Sequence, residues 1–355
     1  MSRHIAANIS LIMMQLTEEQ IIDSLYKIIC TANRRNANDE AIDNDYFKRR
    51  VIGFKSEMEF EIHFNDKYKN NENNLLEGGQ FCGTKEDRDF FVYTTIDFSE
   101  PEKYQKIYES ICKWSNVKNL YYLKIIESDW GEVALKTRKE QGGDIENSLI
   151  LEPKYQIYIF DKVSKNFSES KELTAPKVFD HWRKIKNTPA VNPLRAREKF
   201  DYFLQYDIEM LKKVYATRYF MDVLKRTHFL YFLDIDGFLQ TKDEIQIIEL
   251  KEKTPIKEDG KKLLPEEEWK YGWDTRRLSW YQFLEKQIDL TTIYIVRQIE
   301  SIKGREFNQW DAISLEEFML SGSWENSLSG GSGRGDTILA PYTKFQSLEN
   351  YLGSK

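Results

Sequence analysis

The chain has 355 residues, 58 acidic against 52 basic side chains, and a net charge of −6. It is long enough to bury a large core, and its 20 Tyr and 21 Phe exclude an intrinsically disordered chain, which would be poor in aromatics. The acidic balance excludes a global basic field that would announce a nucleic-acid partner, leaving local patches open. Three scattered cysteines without a CxxC pair point to neither a zinc site nor a disulfide framework.

In chain order, "IAANISLIMM" is too short to span a bilayer and lacks a clear cleavage site. The expectation is a soluble chain in a reducing cytoplasm. "TEEQ", Thr17 to Gln20, reads as a capping box that opens an amphipathic helix reaching about Ala32. Ile21, Ile22, Leu25, Ile28 and Ile29 recur along it at helical spacing. "EMEFEIHF" alternates like a half-buried strand, and "NDKYKNNENN" reads as a polar loop. "EGGQFCGTKEDRDFF" carries glycines, Lys85 and alternating charges. "DFFVYTTID" reads as a strand, "EPEKYQKIYESICKWS" as a helix with Pro near its start, and "NLYYLKII" and "EPKYQIYIFDKV" as strands. Residues 1–190 are thus expected to form a mixed α+β recognition or interaction domain.

From Ser164 the apolar periodicity weakens, and "NTPAVNP" breaks regular structure. A boundary is placed here, with 191–355 as the second domain. The stretch from His181 to Lys199 holds Arg183, Lys184 and Lys186 among its basic residues and one acid, Glu198. It reads either as a solvated linker or as a strap that contacts phosphates. A helix over 195–225 follows, then the strand "HFLYFLDIDGFL", a turn near "QTKDE" and the strand "IQIIELKEK". After a polar loop come the helix "TRRLSWYQFLEKQI" and the strand "TTIYIVRQI". Leu278, Tyr281, Leu284 and Ile288 make that helix's apolar stripe. "GGSGRGDT" reads either as a plain flexible loop or as one offering backbone N–H groups and Arg334 to a phosphate.

The hairpin carries the chemistry. Side chains at i and i+2 of a strand share a face, so Asp234 and Asp236 do, and so do Glu249 and Lys251. A turn between Lys242 and Asp243 sets Asp236 opposite Glu249 and Asp234 opposite Lys251, with Cβ atoms about 4.5–5.5 Å apart. Close carboxylates repel unless a hard cation neutralises them, and Mg²⁺ takes oxygen ligands. Mg²⁺, with Mn²⁺ as substitute, is therefore the expected cofactor, and no organic cofactor is expected. A lysine beside such a site suits phosphodiester hydrolysis. His4, His63, His181 and His228 do not cluster in sequence.

Asp236, then Glu249-Leu250-Lys251, resembles the D…ExK signature of the PD-(D/E)xK nuclease superfamily, which includes many type II restriction endonucleases. Ile235 stands where that signature often has proline. The resemblance covers about Phe200 to Glu300. It implies an α/β (mixed α+β) fold with a restriction-endonuclease-like core of helix, strand hairpin, helix and strand, which is the order read above. It implies Asp236 and Glu249 as metal ligands, Lys251 as the catalytic lysine, and the Leu250 carbonyl completing the metal shell. Asp234 sits where some members carry an added acid, and Glu209 is the candidate for a helix acid. Arg276, Arg277 and Gln282 follow on the helix that borders the site in such proteins, where Arg277 or Gln282 would touch a phosphate or a metal-bound water. The implied function is a Mg²⁺-dependent DNA endonuclease for restriction or related defence, expected by analogy as a homodimer. The alternatives are an RNA- or branched-DNA-cleaving nuclease and a non-catalytic nucleic-acid-binding protein on the same fold.

Overall fold

A computed structural model of the chain describes residues 16–31, 44–69, 73–83, 91–138, 145–179, 203, 205–225, 231–259, 262–302, 304–329 and 336–353. Its first half contains α1 (Glu18–Thr31), α2 (Asn44–Lys67), β1 (Asn74–Gly83), β2 (Phe91–Asp97), α3 (Gln105–Ile111), β3 (Val117–Arg138), β4 (Ile145–Asp161) and β5 (Asn166–Glu169). Then follow α4 (Ile208–Arg218), continued by a π-helical turn over Tyr219–Leu224, and the strands β6 (Tyr231–Gln240) and β7 (Ile245–Lys253). A small hairpin of β8 (Glu258–Asp259) and β9 (Lys262–Leu263) precedes β10 (Lys270–Asp274), α5 (Thr275–Ile288), β11 (Thr291–Ile299) and β12 (Phe307–Ser314). The chain ends in α6 (Leu315–Ser321), β13 (Ser323–Ser329), β14 (Asp336–Pro341), β15 (Gln346–Ser347) and α7 (Leu348–Gly353).

The protein is mixed α/β. Ten strands form one mostly antiparallel sheet in the order β15-β12-β11-β7-β6-β1-β2-β3-β4-β5, with β7/β11 and β2/β3 the parallel pairs. This sheet runs through both halves of the chain, because β1 pairs with β6. The boundary expected near residue 190 lies outside the described residues, as do Arg183, Lys184, Lys186 and Arg334. Among the described residues no helix is long and apolar enough to cross a membrane.

Helices cover both faces. Ile107 and Tyr108 of α3, Leu278, Tyr281 and Leu284 of α5, and Phe318 of α6 pack on one, together with Phe238, Ile247 and Tyr294. On the other, Phe60 and Phe64 of α2 pack on Leu239, Ile248, Leu250 and Ile295. Ala216 of α4 and Phe220 of the π-helical turn pack there on Cys82, Val92 and Leu123. The capping box forms as read: Thr17 N donates to Gln20 Oε1 at 2.9 Å, and Gln20 N to Thr17 Oγ1 at 3.3 Å.

The strand expected at "EMEFEIHF" is instead part of α2. Its alternation is real, but Phe54 and Met58, and Phe60 and Phe64, are also spaced i, i+4, and both pairs are buried on helix faces. Ile62, apolar in the strand pattern, is 39 % exposed. The glycine-rich stretch after Glu77 is a central strand. A Cβ on Gly78 would lie 1.8 Å from the Ile235 carbonyl oxygen, so glycine is what lets β1 close on β6 there.

Candidate functional site

The hairpin register is the expected one at its tip. Gly237 pairs with Ile248, Phe238 with Ile247, Leu239 with Gln246 and Gln240 with Ile245, and Thr241 N donates to Glu244 O at 2.9 Å to close the turn. Beyond Gly237 and Ile248 the strands part. β6 continues against β1, placing Asp234 opposite Gln80, and β7 continues against β11, placing Lys251 beside Val296. The expected Asp236–Glu249 and Asp234–Lys251 ladder pairs are therefore not formed: each strand finds its ladder partner on its outer side, and a fork opens between them.

The fork also re-aims Asp236. Phe238 lies in the α5-side core, and strict alternation would send Asp236 to that side too. Instead Leu233 and Ile235 take the α5 side, and Asp236 lines the cleft between α2 and α4. The reversal falls at Asp236–Gly237, beside Gly78, where β1 approaches most closely.

Three oxygens meet in the fork. Lys251 Nζ stands 3.2 Å from Asp236 Oδ2, 2.8 Å from Glu249 Oε1 and 2.8 Å from the Leu250 carbonyl oxygen. Leu250 N, released from the hairpin ladder, donates to Asp236 Oδ2 at 2.8 Å. Burial alone would raise the Asp236 pKa, but Lys251, Arg277 and this N–H hold it below the usual carboxylate range. Burial likewise opposes the Lys251 charge, and Asp236 and Glu249 outweigh it, holding the ammonium's pKa above its ordinary value.

Glu249 is fully buried, and α5 holds it. Tyr281 OH donates to Glu249 Oε2 at 2.7 Å and Arg277 reaches the same oxygen at 3.2 Å. Arg277 also donates to the Asp234 carbonyl at 3.0 Å, and the Tyr281 hydroxyl oxygen, its one proton committed to Glu249, lies 3.3 Å from that carbonyl. Arg277, expected near a phosphate or a metal-bound water, is thus engaged with Glu249. The remaining oxygens are informative. Glu249 Oε1 and Asp234 Oδ1 are buried without an aligned hydrogen bond; for Glu249 Oε1 the nearby Lys251 charge is off-line. Every hydrogen bond that Asp236 accepts goes to Oδ2.

Among the described residues no group of three His, Cys, Asp and Glu side chains forms a ready metal cage. The donor set is two carboxylates and one backbone carbonyl, all hard oxygens. They already converge on one cation, the Lys251 ammonium, so their chemistry fits a divalent ion.

The other expected residues stand apart. Glu209 is exposed in the first turn of α4, about 13 Å of helix rise before Arg218. Gln282 is half-buried, with no hydrogen bond to the cluster, and Arg276 is exposed at the start of α5. The helix acid that does face Asp236 is Glu57 of α2, on the opposite wall of the cleft. Its side chain opens at the cleft mouth, yet the flanking protein strips much of its hydration and pushes its pKa up to about 7. Arg218 opposes that rise, while Asp236 and Asp234 add to it. Reading α2 as a helix would have exposed the signal, since Glu57 and Glu61 then share a face.

The chain matches no family model, no curated protein and no solved structure.

Proposed function

We propose that the protein is a Mg²⁺-dependent endonuclease that hydrolyses DNA phosphodiester bonds, of the PD-(D/E)xK type and used in restriction or related defence. The observation that carries this reading is the convergence of Asp236 Oδ2, Glu249 Oε1 and the Leu250 carbonyl on one positive charge at the hairpin fork. The order around it supports the reading as well: a helix, the β6–β7 hairpin, α5, then β11 parallel to β7. Those three oxygens would hold the ion, with Asp234 and Glu57 as neighbouring acids.

The ion would neutralise charge on the phosphodiester and lower the pKa of water. The chain's own groups do the rest. Tyr281 and Arg277 fix the Glu249 carboxylate, and Leu250 N–H fixes that of Asp236. Lys251 supplies an ammonium that donates to a phosphate oxygen as negative charge builds there. A homodimer suits cutting both strands of a duplex.

The test is cleavage of supercoiled plasmid with Mg²⁺ by wild type and by Asp236→Asn, Glu249→Gln and Lys251→Ala. Wild type is expected to cut and all three variants to be inactive while remaining folded. Normal Mg²⁺-dependent cleavage by Glu249→Gln would sink the reading. Parallel assays on RNA and branched DNA decide the substrate.

A further inference from the structure

Arg218 closes α4 where the helix passes into the π-helical turn. Its guanidinium lies 4.5 Å from the centre of the Phe54 ring of α2, a cation–π contact that ties it to the facing helix. Among the described residues it has neither a hydrogen bond nor an ion pair. An arginine carries five N–H donors in a fork matched to oxyanions, so this cation is placed and has its donors unused.

The surroundings say where those donors go. Arg218 lines the α2–α4 cleft with Thr217, Glu57 and, on the floor, Asp236. The other cation of that wall, Lys213, is already engaged by Glu61 at 2.8 Å and by Glu77. Lys251 is held by Asp236 and Glu249, and the nuclease reading assigns it to the charge that builds on the phosphate during cleavage. The cavity is about 80 Å³. That holds two or three waters at about 30 Å³ each, or one tetrahedral oxyanion.

We propose that Arg218 is a ground-state phosphate-binding residue of the site: its guanidinium takes the non-bridging oxygens of one substrate phosphate seated between α2 and α4, next to Asp236. The inference rests on the nuclease reading and deepens it. One phosphate enters between the helices, and sugars and bases stay outside. Glu57 and Asp236 repel a bare anion, so the ligand binds together with a counter-cation.

Two binding measurements with Ca²⁺ present test this without relying on catalysis. One follows ³¹P line broadening of inorganic phosphate; the other follows anisotropy of labelled single-stranded and duplex oligonucleotides across a salt series. Arg218→Ala is expected to weaken both by about tenfold and to lower the salt slope by about one. Arg218→Lys, which keeps the charge and the stem over Phe54, recovers the slope and part of the affinity. Arg218→Gln serves if the alanine variant does not fold, as judged by thermal melting. Equal phosphate binding by wild type and the folded Ala or Gln variant overturns the proposal, as does a wild type that binds no phosphate. Phosphate binding that depends on Arg218, with no nucleic acid cut, leaves the assignment standing and removes the nuclease reading. Preference among free phosphate, single strand and duplex identifies the source of the phosphate.

Discussion

The Tyr281 hydroxyl donates to Glu249 Oε2 at 2.7 Å, inside a core where Glu249 has no solvent exposure. A buried carboxylate without water depends on such donors. Tyr281→Phe keeps the ring and removes the donor from a charged acceptor. It is expected to destabilise the protein by about 1.5–3 kcal/mol, read as a lower urea midpoint. If Glu249 holds a cation, Mn²⁺ affinity also falls roughly 10- to 100-fold. An unchanged midpoint together with unchanged Mn²⁺ binding would show that Tyr281 does not organise Glu249.

Much of this arrangement is legible in the sequence. β7, α5 and β11 occupy the residues read for them, and the hairpin register follows from one turn position. These segments have sharp local signals: doubly apolar strands and an apolar stripe at helical spacing. The fork does not follow from local pattern. It arises because β1, far away in sequence, draws β6 outward while β11 draws β7 the other way. Glu57 stayed hidden for a different reason: alternating Glu and apolar residues satisfy a two-residue period and, in part, a helical one.

Gly78 sets the approach of β1 to β6 beside Asp236. An added Cβ would meet the Ile235 carbonyl oxygen at 1.8 Å and the Asp236 carbonyl carbon at 2.9 Å, and backbone atoms cannot swing aside. Gly78→Ala is expected to cost about 1–3 kcal/mol or more, and to lower metal affinity by shifting Asp236. Urea unfolding and Mn²⁺ titration measure the two effects. Wild-type values in both would mean that the strands part there without consequence.

Glu57 makes stability depend on pH. Its folded pKa of about 7 lies above the ordinary 4.5, so between these values the folded chain binds more protons than the unfolded one. Its contribution is therefore fully present below pH 4.5 and is lost as pH rises through 7. Glu57→Gln removes this dependence. Melting temperatures of wild type and variant are expected to diverge across that window, with the variant ahead at the alkaline end. Parallel curves would show that Glu57 ionises as a free surface carboxylate.

Arg297 holds α2, and with it Glu57, against the sheet. It is 3 % exposed, pairs with Glu252 at 2.9 Å and with Glu59 of α2 at 2.6 Å, and Arg305 contacts the same Glu252. Removing one partner leaves a buried charge with less compensation, which typically costs about 3–5 kcal/mol. Because Arg305 remains, Arg297→Met is expected near the lower end, at about 3 kcal/mol. Adding Glu252→Met to it should recover only the part of the loss that comes from the Arg297–Glu252 pair itself, because Glu59 and the half-buried Arg305 each still lose a partner. A double-mutant cycle by urea unfolding measures the coupling. Additive losses would mean that the pair contributes packing alone, and that α2 is held by its buried Phe60 and Phe64 without help from the ion network.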